Sequence, residues 1–160
     1  MTATRRITGG EGPAVAGGAP PRPVLLVTLS ARIAPEAERV AIESALETGA
    51  RLVIANMLWL QPFPTTLVLA REVATLPHEE DLDEVRATAR RAAQAGIPTE
   101  LLRISSRRPL QALVELVCER RPGLVVLGPD PGRTPRWWRA LAARRIRTRT
   151  DCLIWIAPGG

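Results

Sequence analysis

Five short aliphatic runs, each separated from the next by a segment long enough for a helix, constrain this chain more than any other feature. They are "PVLLVTL" (Pro23 to Leu29), "RLVIANML" (Arg51 to Leu58), "IPTELLRIS" (Ile97 to Ser105), "GLVVLG" (Gly123 to Gly128) and "CLIWIA" (Cys152 to Ala157). Most are apolar at consecutive positions, the mark of strands buried on both faces. Alternation in the third is imperfect, which suits a sheet edge. Between them the spacing predicts helices from Pro35 to Gly49, from Glu79 to Ala95, from Pro109 through Cys118 and from about Pro135 to Arg149. Strand, helix and strand joined by short turns force parallel pairing with a right-handed crossover. The expected fold is therefore an α/β, doubly wound, five-stranded parallel sheet in the order 3-2-1-4-5.

The helical faces are legible at i, i+3, i+4, i+7 spacing. The first uses Ala37, Val40, Ala41, Ser44, Ala45 and Thr48, small side chains that allow a close approach to the sheet, and Gly49 closes it. The second uses Leu82, Val85, Ala89, Ala92 and Ala93, behind an acidic first turn that suits the positive end of a helix dipole. The third uses Leu110, Leu113, Val114, Val117 and Cys118. The fourth uses Trp138, Leu141, Ala142 and Ile146. Adjacent Trp137 and Trp138 cannot both face the core, so Trp137 is expected at the surface. There, beside Arg133, Arg136 and Arg139, it would stack on a ring or anchor a protein interface. The stretch from Trp59 to Pro77, broken by Pro62, Pro64 and Pro77, is too long for an ordinary connection and reads as a lid or partner surface.

At 160 residues the chain suits one domain. Residues 1–22 read as a disordered leader, because Gly, Pro and Ala offer little apolar area against the entropy of ordering, and residues 23–158 as the folded domain. No apolar stretch reaches the roughly 18–20 residues that span a bilayer, and the N-terminus lacks the apolar block of a signal peptide. A cytoplasmic location and no membrane insertion are expected. The two cysteines, Cys118 and Cys152, read as core residues, and their spacing suggests neither a disulfide framework nor a metal site. His78, the only histidine, has no partner at ligand spacing and reads as a solvated or capping residue.

Charge is unevenly placed. The formal net charge is +6, and every basic residue is arginine. From Glu36 to Glu100 there are 6 Arg against 11 acids, and from Arg103 to Arg149 there are 12 Arg against 3 acids. The basic half is either a surface for anions or an acidic partner, or a set of solvated arginines. Without a nucleic-acid reading motif it would give only sequence-blind affinity, which argues against nucleic acid as the partner.

Three blocks carry a family likeness: "ALETGARLVIAN", then "PLQALVELVCERRPGLVVLGPDPGR", then "RRIRTRTDCLIWIAP". Over residues 22 to 158 the chain resembles the universal stress proteins. In ATP-binding members an Asp ends the first strand and a G-x2-G-x9-G-[ST] motif follows the fourth. The glycines let backbone N–H groups approach phosphates, and the hydroxyl donates to them. The 3-2-1-4-5 order itself predicts a ligand crevice where the order reverses, with Thr28, Leu29 and Ser30 on one side and Gly128, Asp130, Gly132, Arg133 and, just beyond, Arg136 on the other. Asn56 either lines that crevice or satisfies neighbouring backbone groups.

Gly128 matches the first glycine of the motif and Gly132 stands one residue late for the second. Arg139 to Arg145 occupy the place of the Gly-Ser pair, and "VTLS" replaces the Asp. Each lost donor to a charged phosphate is worth about 1.5–3 kcal/mol, and Pro129 and Pro131 remove two more N–H groups. The expectation is a degenerate motif without tight ATP binding and with no required cofactor. Arg133, Arg136 and Arg139 are the candidates to compensate toward an adenine nucleotide or another anion. No catalytic set is visible, so no enzyme activity is expected. The resemblance also implies a homodimer through the terminal strand, at Cys152, Ile154, Trp155 and Ile156. A further protein partner would meet Trp137 and the arginine-rich helix.

Overall fold

The computed structural model describes residues 19–29, 32–59, 79–128 and 136–158, with the backbone alone at 59 and 79–81. Most of the expected leader, the 60–78 stretch with His78, and Ser30, Asp130, Gly132 and Arg133 lie outside the described residues.

Among the described residues nine elements alternate between strand and helix: β1 (Val24–Leu29), α1 (Pro35–Thr48), β2 (Leu52–Trp59), α2 (Glu79–Gln94), β3 (Thr99–Ser106), α3 (Pro109–Arg120), β4 (Leu124–Leu127), α4 (Arg136–Arg147) and β5 (Leu153–Ile156). The five strands form one parallel sheet in the order β3-β2-β1-β4-β5, as the aliphatic runs predict. β1 lies at the centre, paired with β2 from Val24↔Leu52 to Leu29↔Met57 and with β4 from Val24↔Leu124 to Val27↔Leu127.

Strand alternation divides the core in two. On one face Leu25, Val27, Val53, Ala55, Met57, Val125 and Leu127 pack with α3 and α4. On the other, Val24, Leu26, Leu52, Ile54 and Val126 pack with α1 and α2. Ala37, Ala41 and Ala45 bring α1 close to the sheet. Gly49 and Gly96 adopt left-handed φ of 63° and 82° just after α1 and α2, where a side chain would be strained. After α3 the same conformation falls to Arg121, with φ 45° and its N–H on the Val117 carbonyl at 2.9 Å.

Side chains tie the layers together. Glu38 of α1 holds α2: its carboxylate accepts from Arg91 Nε at 2.6 Å and from the buried Thr88 hydroxyl at 2.9 Å. The Arg91 guanidinium holds the Glu38 carboxyl below its ordinary range, and Glu38 in turn raises Arg91. Arg22, just ahead of β1, is bound to the domain through Asp151 at 2.9 Å and the Arg121 carbonyl at 3.1 Å.

Three positions expected on buried helix faces, Thr48, Ala93 and Cys118, are exposed instead. Cys118 is exposed, because α3 buries Pro109, Leu113, Val114, Leu116 and Val117. At about 100° per residue Cys118 lies about 140° from Leu113. The i, i+4 series Leu110, Val114, Cys118 drifts off the buried side, and the true stripe is centred between Leu116 and Val117. Ala93 is exposed for the same reason, and Thr88 takes the buried place.

Candidate functional site

Because the strands run parallel, their carboxyl ends share one edge of the sheet, and the order reverses between β1 and β4. That position is the usual crevice for a ligand in an open α/β sheet. The structure brings together Thr28, Asn56 and Gly128 there. Thr28 and Asn56 are register partners and so point to the same face. Gly128 follows Leu127, the partner of Val27.

Each of these groups is engaged differently. Thr28 is fully buried, and its hydroxyl donates to the Arg32 carbonyl at 3.3 Å. Gly128 uses both its backbone groups: its N–H donates to the Val27 carbonyl at 3.0 Å, and its carbonyl accepts from Ala34 N–H at 2.9 Å. Its missing side chain also serves packing, since a Cβ there would meet the Ala37 Cβ at 2.5 Å. Asn56 is 3% exposed, and its Oδ1 has no hydrogen-bond partner among the described residues. Leu29 is half-buried and packs on the α3/α4 core.

Arg139 is a correction. Grouped in the sequence with Arg133 and Arg136 as a phosphate-reaching arginine, it is instead 4% exposed, and its Nη1 donates to the Ala157 carbonyl at 2.9 Å. It occupies the buried face of α4 with Trp138, Ala142, Ala143 and Ile146. The signal was present: Arg139 stands three residues before Ala142 and seven before Ile146, and the i, i+3, i+7 rule applied to a charged residue would have found it. Arg136 is exposed, as is Trp137, at 64%.

At the opposite flank β5 forms a sheet edge. Leu153, unremarked in the sequence, is 72% exposed there. Ile154 and Ile156 pack on one core and Trp155 on the other. Cys152 is buried, its Sγ 3.1 Å from the Thr150 hydroxyl oxygen. Leu153 N–H donates to Gly123 and Ala157 N–H to Leu127. By strand alternation the backbone groups of Ile154 and Ile156 therefore point to the open edge. Among the described residues no three His, Cys, Asp or Glu side chains gather as a metal site, and no helix is long and apolar enough to cross a membrane.

The chain matches no protein-family model and no curated protein. Solved structures do share its fold. A member of the universal stress protein family from Burkholderia pseudomallei is similar at 20% identity and TM-score 0.61, over 89% of this chain and 99% of that one. A universal stress protein in complex with cAMP is similar at 20% identity and TM-score 0.52, over 89% and 100%. The universal stress protein from Archaeoglobus fulgidus in complex with dAMP is similar at 15% identity and TM-score 0.52, over 86% and 97%. At these identities the likeness establishes the fold: a five-stranded α/β domain of the universal stress protein type.

Proposed function

We propose that this chain is a non-catalytic, dimeric regulatory domain of the universal stress protein type whose crevice has given up tight ATP binding. The observation that carries the proposal is Gly128. A glycine that grips phosphate must offer its N–H outward, whereas this N–H is held by Val27 and the space beside the Cα is filled by Ala37. Thr28 adds to it, with a hydroxyl committed to Arg32 in place of a carboxylate. Arg139 adds to it too, committed to Ala157.

The dimer rests on the unpaired backbone groups of Ile154 and Ile156 and on the exposed Leu153, an edge that invites a second strand. Light scattering at high micromolar concentration tests it. The wild type is expected to be a dimer, and Ile154→Pro, which removes an edge donor without breaking a β4–β5 hydrogen bond, a monomer. Leu153→Lys serves as the second variant. A wild-type monomer refutes this part of the proposal.

A second reading is favoured by one observation, the unpaired Oδ1 of buried Asn56 beside Thr28. An acceptor left without a partner suits a ligand that donates, as an adenine amino group or a ribose hydroxyl does. Similar folds carry cAMP and dAMP in their solved complexes. On this reading the domain is a sensor of an adenine nucleotide or small anion, with Thr28, Leu29, Ser30, Asn56 and the Gly128–Arg133 loop around the ligand and Arg136 nearby. A thermal-shift panel of ATP, AMP and cAMP decides it: ligand at 100 times its Kd adds about 2.7 kcal/mol of stability, and no shift with any of them removes it.

A further inference from the structure

The sheet sorts the helices by charge. α1 and α2, on one face, belong to the half of the chain with 11 acids against 6 Arg, and α3 and α4, on the other, to the half with 12 Arg against 3 acids. On the α1/α2 side the charges answer one another. Arg91 meets Glu38 at 2.6 Å, Arg86 meets Asp83 at 3.2 Å, Arg32 meets Glu84 at 3.7 Å and Arg39 meets Glu43 at 3.9 Å. On the α3/α4 side Arg107, Arg108, Arg144, Arg145, Arg147 and Arg149 meet no carboxylate within 4.0 Å among the described residues.

Four of these arginines frame one surface. A groove of about 330 Å³ between α3 and α4 is lined by Gln111, Val114, Glu115, Arg145, Thr148 and Arg149. A second hollow, of about 350 Å³, shares Gln111 and Glu115 and continues to Arg107 and Arg108. Gln111 Nε2 donates to Glu115 Oε1 at 2.9 Å, which leaves the other carboxylate oxygen to accept.

We infer that this α3–α4 groove docks a short acidic polypeptide segment. Arginines at both ends suit carboxylate side chains, which guanidinium groups pair bidentately. Between them the exposed Glu115 carboxylate keeps an oxygen able to accept from a donor, and Val114 offers apolar contact. A peptide supplies both needs, because its backbone N–H groups lie between its side chains. A phosphodiester backbone supplies acceptors and negative charge alone, and would set phosphate against Glu115. The 12 residues of α3 span about 18 Å, the reach of about five extended peptide residues. Trp137, near the start of α4 and about 12 Å along the helix from Arg145, is exposed but lines neither hollow.

Fluorescence anisotropy at low ionic strength tests the inference with three probes: a short labelled peptide of alternating Asp and Gly, its Lys counterpart, and a single-stranded oligonucleotide of equal charge. The acidic peptide is expected to bind saturably, more tightly than either other probe. The pair Arg145→Glu and Arg149→Glu should weaken it about tenfold or more, and Arg145→Gln less. Arg90→Glu, on α2 across the sheet, should leave it unchanged, and far-UV circular dichroism checks that each variant is folded. No saturable binding of the acidic peptide, full binding by folded groove variants, or an oligonucleotide that binds as tightly overturns the inference. None of these results depends on whether the crevice takes a nucleotide.

Discussion

Ala37 of α1 fills the space that any side chain at position 128 would need. A Cβ built on Gly128 lies 2.5 Å from the Ala37 Cβ and 3.3 Å from Leu26 Cδ1. The glycine at the end of β4 thus sets how closely the first helix can lie on the sheet, and the backbone bonds to Val27 and Ala34 fix it from both sides.

Gly128→Ala should therefore destabilise the fold by about 1–3 kcal/mol, the cost of overpacking a tight core. Chemical denaturation measures it. The neighbour that must move is an alanine Cβ on a rigid helix, so little relaxation is available.

Cys118→Ser should change stability by less than about 0.5 kcal/mol, since the side chain is exposed. Leu113→Ala, on the same helix but fully buried, should cost about 2–5 kcal/mol. Urea midpoints of the two variants give the comparison, and a large loss at Cys118 would contradict the orientation of α3.

That contrast shows what the sequence could and could not display. Periodicity located the nine elements of the described residues, and the 3-2-1-4-5 order, expected as the commonest for a small doubly wound sheet, is the one the strands adopt. It misplaced the axis of α3, since an unbroken i, i+4 series through Cys118 looks like a stripe although it precesses off the face. It also missed Arg139 and Thr88 as buried residues. The helical spacing of Arg139 placed it on the buried face, but what satisfies each buried polar group is not written in the spacing: the partners, Ala157 and Glu38, are 18 and 50 residues away. The crevice was half legible. The residues at the ends of β1 and β4 could be named from the runs, whereas the commitment of the Gly128 N–H to Val27 needed the register of β1 and β4.

The link between Glu38 and Arg91 should appear in the acid limb of the stability curve. Glu38 is held below its ordinary value of 4.5, first by the Arg91 hydrogen bond and also by Thr88. A depressed carboxyl contributes stability that is complete above the unfolded value and is lost as pH falls through the folded one. Glu38→Gln should cost about 1 kcal/mol near neutrality, reduced from a fully buried charged bond because Arg91 is half exposed. The difference from wild type should shrink as the pH drops below about 4.5. Thermal melts from pH 7 to pH 3 test both parts.

Arg121→Gly should stabilise the chain by up to about 1 kcal/mol. Arg121 holds φ 45°, a conformation that costs a side-chain-bearing residue about 1–2 kcal/mol. Glycine regains most of that, less the entropy it gains when unfolded. The main-chain bonds to Arg22 and Val117 are kept. A midpoint lower than wild type would show the Arg121 side chain to have a role of its own.

Isothermal titration of the folded protein with ATP and magnesium tests the account at its centre. With the Gly128 N–H turned into the sheet and the Thr28 hydroxyl bonded to the Arg32 carbonyl, no saturable heat should appear at ligand concentrations up to the millimolar range, a free energy weaker than about −4 kcal/mol. Stoichiometric binding with a micromolar Kd, abolished by substitution at Thr28 or Asn56, would contradict it.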